Sequence, residues 1–316
     1  MSTTMDDDFV RRTERYRREL LAHCYRMMGS LDDAEDLVQE TYLRAWRSYD
    51  GFEERSSLRT WLYRIATNAC LNALQRSDRR AVPVDMGGGP STAAGVGWLQ
   101  PLPDALVTPS SDDPAAVAEV RDGVRLALIV GLQYLTPGQR AVLILRDVLA
   151  WPAAEVAGAL SLEVGAVKSL LQRARARLAA VTPSLDEPVL EPSHPRAQEL
   201  LSLYMTAFET ADARLFEEAL RADAVLEMPA AAMWFAGKVA CVEYLMSEVV
   251  GGAGDWRKVP TVANGQPAFG AYLRDGSAFG LAVLTVTQAG IARVTVFAGD
   301  GLLGRFGLPA TLPAAG

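Results

Sequence analysis

Histidine and cysteine are scarce in this sequence. The 316 residues include two histidines, His23 and His194, and three cysteines, none of them in a CxxC pair. A zinc site needs several such ligands close together, and a disulfide framework needs an even, regularly spaced set of cysteines. The scarcity of histidine and cysteine therefore argues against a zinc site and against a disulfide framework. We therefore expect no bound metal or cofactor, and we expect His23 and its neighbour Cys24 to be ordinary core residues.

Long apolar runs are also missing. The longest, such as residues 126–130 and 278–286, fall far short of the roughly 20 apolar residues that span a membrane. The chain opens with Asp6, Asp7 and Asp8 and then a charged helical pattern, which is not a signal peptide. We therefore expect a cytoplasmic protein with no membrane partner.

An excess of positive charge is absent as well. The formal net charge of −7 argues against a protein that adheres to DNA over its whole surface. The basic residues nevertheless cluster in two segments, which favours local contact with phosphates. The clusters are Arg55, Arg59, Arg64, Arg76, Arg79 and Arg80, and then Lys168, Arg173, Arg175 and Arg177.

The length predicts two or three compact units. Helical periodicity fills residues 9–82 and 114–182, and proline-rich linkers occupy 83–113 and 183–195. One helix is expected over 114–134, and Thr136-Pro137-Gly138-Gln139 predicts a capping box at the start of the next. The first linker carries Trp98 and Leu99, which we expect to dock. Residues 196–312 form an α+β segment, in which the hairpin signals Asp275-Gly276 and Ala289-Gly290 separate strands at 267–274, 277–287 and 290–298.

Residues 154–177 predict a helix-turn-helix. A short helix begins at Ala154, a tight break follows at 160–162, and a second helix opens at Val164 and ends in alternating arginines. Side chains early in such a helix reach base edges, and later ones meet phosphates. A solvated helical hairpin is the alternative. The candidate DNA contacts are Val164, Lys168, Ser169, Gln172, Arg173, Arg175 and Arg177.

Residues 51–80 interleave basic and aromatic side chains on a helix that we expect from about 57 to 76. Aromatic rings stack on unpaired bases while basic and amide groups hold the backbone, so this pattern suits single-stranded or melted DNA. Trp61 or Tyr63 can instead be part of the core. The candidate residues are Arg59, Trp61, Arg64, Asn68, Asn72 and Arg76.

The acidic run of residues 32–42 lies on a helix that follows a cap at Ser30. Its apolar face is expected to carry Ala34, Leu37, Val38, Tyr42 and Trp46. A dense acidic face is usually solvated surface, but this one lies between two segments with other signals.

Together these segments resemble the sigma-70 family, in its small extracytoplasmic-function branch. Residues 26–46 resemble region 2 with the helix that docks on the polymerase β′ clamp, and 57–68 resemble the part that captures and melts the −10 element. Residues 135–178 resemble region 4, which reads the −35 element. The resemblance implies two partners, core RNA polymerase (β′ clamp and β flap) and promoter DNA. It implies polymerase contacts through Asp36, Leu37, Gln39, Glu40 and Arg44.

Three positions depart from the family pattern. Ser161 stands where a glycine is common in the helix-turn-helix break, Glu163 is a poorer cap than the usual serine, and Leu170 replaces an arginine. Weaker −35 binding, or a need for help, is the expected consequence.

Residues 196–312 resemble the SnoaL-like, nuclear-transport-factor-2-like fold, helices against a curved sheet. The residues that carry this resemblance are 263–268 and 303–309. The resemblance implies regulation of the sigma core in cis. Such folds enclose an apolar pocket, so a small-molecule ligand and catalysis both compete with a purely structural role. Asp223, Glu227, Tyr204 and Tyr244 are the candidate acid and base groups, but nothing in the sequence pairs them.

The sequence therefore predicts a non-enzymatic, multidomain sigma factor with all-α regions 2 and 4 and an α+β C-terminal domain. The alternative is a ligand-sensing helix-turn-helix repressor or activator that does not join RNA polymerase. Region 2 discriminates between the two, because a repressor needs neither a clamp-binding helix nor a melting face. An anti-sigma partner is compatible with the sequence but is not implied by it.

Overall fold

The chain forms two compact units, Met1–Arg80 with Ala105–Pro183 and Ala81–Asp104 with Ser184–Gly316. The structure, a computed structural model, describes residues 2–53, 56–76, 98–108, 120–181, 186–299 and 301–313. Residues 55, 79 and 80 of the first basic cluster, most of the predicted first linker and the start of the helix expected at 114 lie outside these ranges.

The first unit is helical. Its α-helices are α1 Ser2–Thr13, α2 Arg17–Met28, α3 Leu31–Arg47, α4 Leu58–Arg76, α5 Leu126–Gln133, α6 Pro137–Leu143, α7 Ala153–Leu160 and α8 Val164–Val181. Helix α2 is buried from Leu20 to Met28 because it packs against α3 and α4 on one side and α5 and α6 on another. The segments that resemble regions 2 and 4 therefore share one core in this unit.

Two caps predicted from the sequence are present. The Ser30 hydroxyl accepts the N–H of Asp33 at 3.2 Å at the start of α3. Thr136 and Gln139 form a reciprocal capping box at the start of α6. The helix expected over 114–134 is interrupted, because a turn at Gly123 and Val124 separates the helical residues 120–122 from α5.

A buried arginine joins the two regions within this core. Arg140 on α6 is 4% exposed. Its guanidinium donates to the backbone oxygen of Met27, to the Gln133 side-chain oxygen at 2.6 Å, and to the backbone oxygens of Gln133 and Leu135 at 3.2 and 3.3 Å. These acceptors offset much of the cost of burying the charge.

The second unit packs helices against a curved sheet, as predicted. Its helices are α9 Pro195–Thr210, α10 Ala213–Ala219 and α11 Lys238–Tyr244, and its strands are β1 Leu220–Met228, β2 Met233–Ala236, β3 Trp256–Ala263, β4 Gln266–Leu273, β5 Ala278–Thr287 and β6 Gly290–Ala298. The sheet order is β2-β1-β6-β5-β4-β3, and only the β1–β6 pair is parallel among these strands. Strands β4 to β6 match the prediction, whereas β1 to β3 were not predicted.

The turn between β3 and β4 holds part of the first linker. Asn264 and Gly265 both have positive φ, 55° and 66°, as a two-residue hairpin turn requires. The Asn264 side-chain oxygen accepts the N–H of Leu102 at 2.8 Å, and the Asn264 N–H donates to the Leu102 oxygen at 2.9 Å. The expected docking is present, with Leu99 and Leu102 buried.

Candidate polymerase and promoter interface

Helix α3 presents an exposed stripe to solvent. Asp36 and Gln39 are exposed, and they lie on the same face as two large apolar side chains, Leu43 at 55% and Trp46 at 44% exposure. The spacing of three and four residues places all four within one side of the helix. An exposed Leu–Trp pair with polar neighbours is typical of a protein-binding surface.

One expectation for this helix was wrong, because Trp46 lies on the exposed face instead of the apolar one. Leu37 is only 5% exposed and packs into the core, and its polymerase contact stays a prediction. Glu40 and Arg44 are partly exposed and form an i,i+4 ion pair with each other.

Helix α4 carries the predicted mixed stripe. Arg64, Asn68, Asn72 and Arg76 are exposed at intervals of four residues, and the half-buried Trp61 begins the same face. The Trp61 ring lies 4.8 Å from that of Phe52. Rings, amides and guanidinium groups along one helix face can stack on bases and hold phosphates.

Arg59 does not share this face. It lies on the other side of α4, where its guanidinium donates to Glu19 at 2.6 Å and sits 4.9 Å above the Tyr63 ring. The partly exposed ion pair neutralises much of its charge. Tyr63 is buried, so between the two aromatic residues in question Tyr63 is the core one.

The helix-turn-helix is formed by α7 and α8. Ser161 ends α7 with φ 54° and ψ 46°, a left-handed conformation that favours glycine. The Glu163 oxygen accepts the N–H of Val167 at 3.1 Å, which places Glu163 at the N-terminus of α8. Helix α8 buries Val167, Leu171 and Ala174, leaving its opposite side open to solvent.

All seven residues predicted to contact duplex DNA are exposed. Their charges are not equivalent. Arg175 makes a two-point ion pair with Asp147, with N–O distances of 2.7 and 2.8 Å. Arg173 donates to the Ser169 backbone oxygen and has no carboxylate partner among the described residues. Lys168 and Arg177 likewise have none there.

The scattered histidine and cysteines are core residues, as predicted. His23 is fully buried, and its Nε2 lies 2.9 Å from the Thr67 hydroxyl. Burial lowers the pKa of His23 to about 3, so the ring stays neutral. Cys24 and Cys70 are buried free thiols, and a hydrogen bond between them raises the pKa of Cys70. In the described part of the chain, no group of three or more His, Cys, Asp or Glu side chains could hold a metal ion.

The four acid and base candidates of the C-terminal unit are not brought together as a pair. Asp223 is exposed and bound by Arg221, which lowers the pKa of its carboxyl group. Glu227 is bound to Arg293 and to the Thr295 hydroxyl, each at 2.6 Å. The other two, Tyr204 and Tyr244, line one cavity of this unit.

That cavity has a volume of about 290 Å³ and is lined mostly by apolar and aromatic side chains. It also contains Lys258, which the sequence reasoning missed. Side chains alternate between the two faces of a strand, so a strand at β3 would have placed Lys258 on the same face as Trp256. In the structure both are buried, and Arg257 between them is half-buried.

No helix in the described part of the chain is long and apolar enough to cross a membrane.

Comparison with known proteins agrees with this architecture. Models of Sigma-70 region 2 and Sigma-70, region 4 match residues 13–80 and 125–178. The chain is 48% identical over 316 residues to the ECF RNA polymerase sigma factor SigG of Mycobacterium tuberculosis strain H37Rv, with 96% of this chain and 85% of that protein covered. It is 32% identical over 200 residues to SigJ of the same strain, with 63% and 58% covered.

The crystal structure of Mycobacterium tuberculosis SigJ is similar in fold. It superposes with a TM-score of 0.61 at 22% sequence identity, covering 95% of this chain and 100% of that one. The long match to SigG, together with regions 2 and 4 in order, shows that this chain belongs to the extracytoplasmic-function (ECF) RNA polymerase sigma factors, which act in transcription initiation.

Proposed function

We propose that three surfaces of the helical unit divide the work of initiation. The α3 stripe of Asp36, Gln39, Leu43 and Trp46 binds the β′ clamp of core RNA polymerase. The α4 stripe from Trp61 to Arg76 holds the melted −10 strand, and α8 lies in the −35 major groove while region 4 meets the β flap. The protein acts in the cytoplasm without catalysing a reaction, and the C-terminal unit regulates it in cis.

The docked linker carries the regulatory part of this proposal. Residues 98–104 belong to the segment that joins region 2 to region 4, and they are held by the C-terminal unit through Asn264. The Asp104 carboxylate adds a bond by accepting the Gly265 N–H at 2.8 Å. A C-terminal unit that holds this segment can influence how the two regions separate.

Promoter binding requires that separation. The −35 and −10 elements lie about 25 base pairs apart, which is about 85 Å along B-DNA at 3.4 Å per base pair. A compact unit of about 160 residues has a radius of gyration of roughly 15 Å. Regions 2 and 4 share a core in this structure, so they cannot contact both elements until that core opens.

Core binding and promoter-dependent transcription test the surfaces. With core polymerase and a promoter selected from a random library, we expect Arg64→Ala to reduce open-complex formation about tenfold, because an exposed guanidinium next to melted DNA is lost. Arg59→Ala is the matched control on the same helix, and it should have a much smaller effect. Equal losses would contradict the assignment of the −10 face.

A substitution at Asn264 tests regulation in cis. Asn264→Gly keeps the left-handed backbone but removes the oxygen that accepts the Leu102 N–H. Asp275→Asn, in the exposed turn between β4 and β5, is the control. We expect the glycine variant to change the initiation rate several-fold and the control to behave like the wild type. The sign of the change tells whether the C-terminal unit restrains or assists initiation, and a wild-type rate for Asn264→Gly would refute regulation through this contact.

The same assays distinguish a sigma factor from the alternative, a helix-turn-helix repressor or activator. A repressor or activator of the helix-turn-helix class would bind duplex DNA but would not join core polymerase. Failure of the full chain to form a holoenzyme, with duplex binding intact, would replace the polymerase-binding proposal with that one.

A further inference from the structure

Lys258 is a buried cation without the acceptors that such a group needs. The residue is 8% exposed and points from β3 into the cavity of the C-terminal unit. Among the described residues, no oxygen hydrogen-bonds to its Nζ and no carboxylate lies within ion-pair distance. Its close neighbours are ring faces, with centroids 4.0 Å away in Trp256, 4.2 Å in Phe208 and 5.5 Å in Phe269.

Ring faces stabilise an ammonium group but cannot replace its hydrogen bonds. Each of the three N–H groups of a charged lysine requires an oxygen or water, and burial without one is costly. Burial accordingly lowers the pKa of Lys258 to about 7, even though Glu209 acts in the opposite direction. An acceptor that entered the cavity would relieve this cost.

A second donor faces the same space. Tyr204 is 1% exposed and lines the cavity, and its hydroxyl makes no hydrogen bond with another described residue. The remaining titratable groups on the cavity wall are Tyr244, half-buried and stacked on Phe235 at 4.0 Å, and Glu248, which is exposed. Both buried polar groups of the wall can thus donate a hydrogen bond, whereas its carboxylate, Glu248, is exposed, so water screens the charge.

The rest of the cavity wall is apolar, so the part of the ligand beyond its head group must be apolar as well. Leu226, Met228, Phe279, Val294 and Val296 line the cavity with the aromatic residues already named. At about 30 Å³ per water molecule, the volume of about 290 Å³ corresponds to a ligand of roughly ten non-hydrogen atoms.

We propose that this cavity binds a small apolar carboxylic acid, whose carboxylate accepts hydrogen bonds from Lys258 and Tyr204 while its hydrocarbon part fills the remaining space. The site lies on the opposite face of the sheet from the Glu227–Arg293 pair. It does not depend on the regulatory role proposed for the linker, since it requires only that the cavity be open to a ligand.

Calorimetric titration of the full chain with three probes of matched length tests this site. Octanoate, octanamide and octylamine share one alkyl chain and differ in the head group. A hydrogen bond to a charged group adds about 1.5–3 kcal/mol, or roughly 10- to 100-fold in affinity. We therefore expect octanoate to bind 10- to 100-fold more tightly than octanamide, and octylamine to bind least. Equal affinities, or no binding up to the solubility limit, would overturn the proposal.

Substitutions then assign the head-group contact. Lys258→Met should reduce octanoate affinity to that of octanamide and leave octanamide within about twofold of the wild type. Tyr204→Phe should weaken octanoate by a smaller factor. Lys238→Met is the control, since Lys238 lies on α11 and donates to the Glu217 backbone oxygen outside the cavity. A Lys258→Met protein that keeps its preference for octanoate refutes the assignment. If that variant does not fold, the comparison of probes on the wild type still decides.

Discussion

Both units bury long cationic side chains, and Arg140 in one and Lys258 in the other have opposite surroundings. Arg140 in the helical unit is 4% exposed and donates to four oxygen acceptors on three residues. Lys258 in the C-terminal unit is 8% exposed and faces three aromatic rings and a cavity. The two side chains are therefore buried to a similar extent, but Arg140 is well hydrogen-bonded and Lys258 is not.

The difference separates a structural charge from a charge that serves a ligand. A buried donor whose acceptors belong to the same fold stabilises that fold, and its removal leaves the acceptors unsatisfied. A buried donor that faces open space costs free energy until a ligand supplies the acceptor. Burial alone does not distinguish the two cases, whereas the list of acceptors does.

The largest expected effect concerns stability. Arg140→Met leaves the carbonyl oxygens of Met27, Gln133 and Leu135 without their donors, so we expect the free energy of unfolding to fall by about 3 kcal/mol. Lys258→Met removes a poorly solvated charge, and we expect no loss or a gain of about 1 kcal/mol. Chemical denaturation followed by circular dichroism measures both. The exposed Arg177→Met is the control, and a Lys258→Met protein as destabilised as Arg140→Met would remove the distinction.

The second largest effect is the contribution of Lys258 to the pH dependence of the free energy of unfolding. Its pKa is about 7 in the folded protein and 10.5 without burial. Between these values the unfolded chain binds a proton that the folded chain has released, so the free energy of unfolding rises with pH. The maximum slope is about 1.4 kcal/mol per pH unit, which gives about 2 kcal/mol between pH 7.5 and pH 9. Below pH 7 both states are protonated and the dependence ends.

The difference between the wild type and Lys258→Met isolates this contribution. Glu209, Glu248, Tyr204 and Tyr244, the other titratable groups near the cavity, are present in both proteins and cancel to first order. Burial raises the pKa of both tyrosines above the ordinary value, so they remain neutral across this window. Parallel stability curves for the two proteins from pH 7.5 to pH 9 would show that Lys258 is not desolvated.

The sequence predicted best the features that depend on local chemistry. The capping box at Thr136, the helix break at residues 160–162 and the exposed stripe from Arg64 to Arg76 all follow from local spacing, which sequence periodicity reports directly. The hairpins at Gly276 and Gly290 follow from turn chemistry.

The features that the sequence did not predict depend on contacts between residues that are far apart in the chain. Arg59 is five residues before Arg64 and so lies on another side of α4, where Glu19 of another helix binds its guanidinium. Strand β3 was missed although Asn264-Gly265, a strong hairpin signal, follows it. Lys258 looked like any surface lysine until the sheet placed it among three rings.

The smallest expected effect applies the same comparison to two exposed arginines of α8. Arg175 is held by Asp147, whereas Arg173 has no carboxylate partner among the described residues. A phosphate contact from Arg173 is therefore gained without breaking an ion pair. We expect Arg173→Ala to weaken binding of the full chain to duplex DNA about fivefold and to lower the salt slope by about 0.9, as one lost phosphate contact does. Arg175→Ala should lose less than half as much DNA-binding free energy, because the Arg175 guanidinium must break its ion pair with Asp147 before it can bind a phosphate.

Fluorescence anisotropy between 50 and 200 mM salt, on a duplex of arbitrary sequence, measures both variants. Equal slopes would mean that an exposed ion pair does not hold a guanidinium back from phosphate, and the rule drawn from Arg140 and Lys258 would then apply only to buried charges.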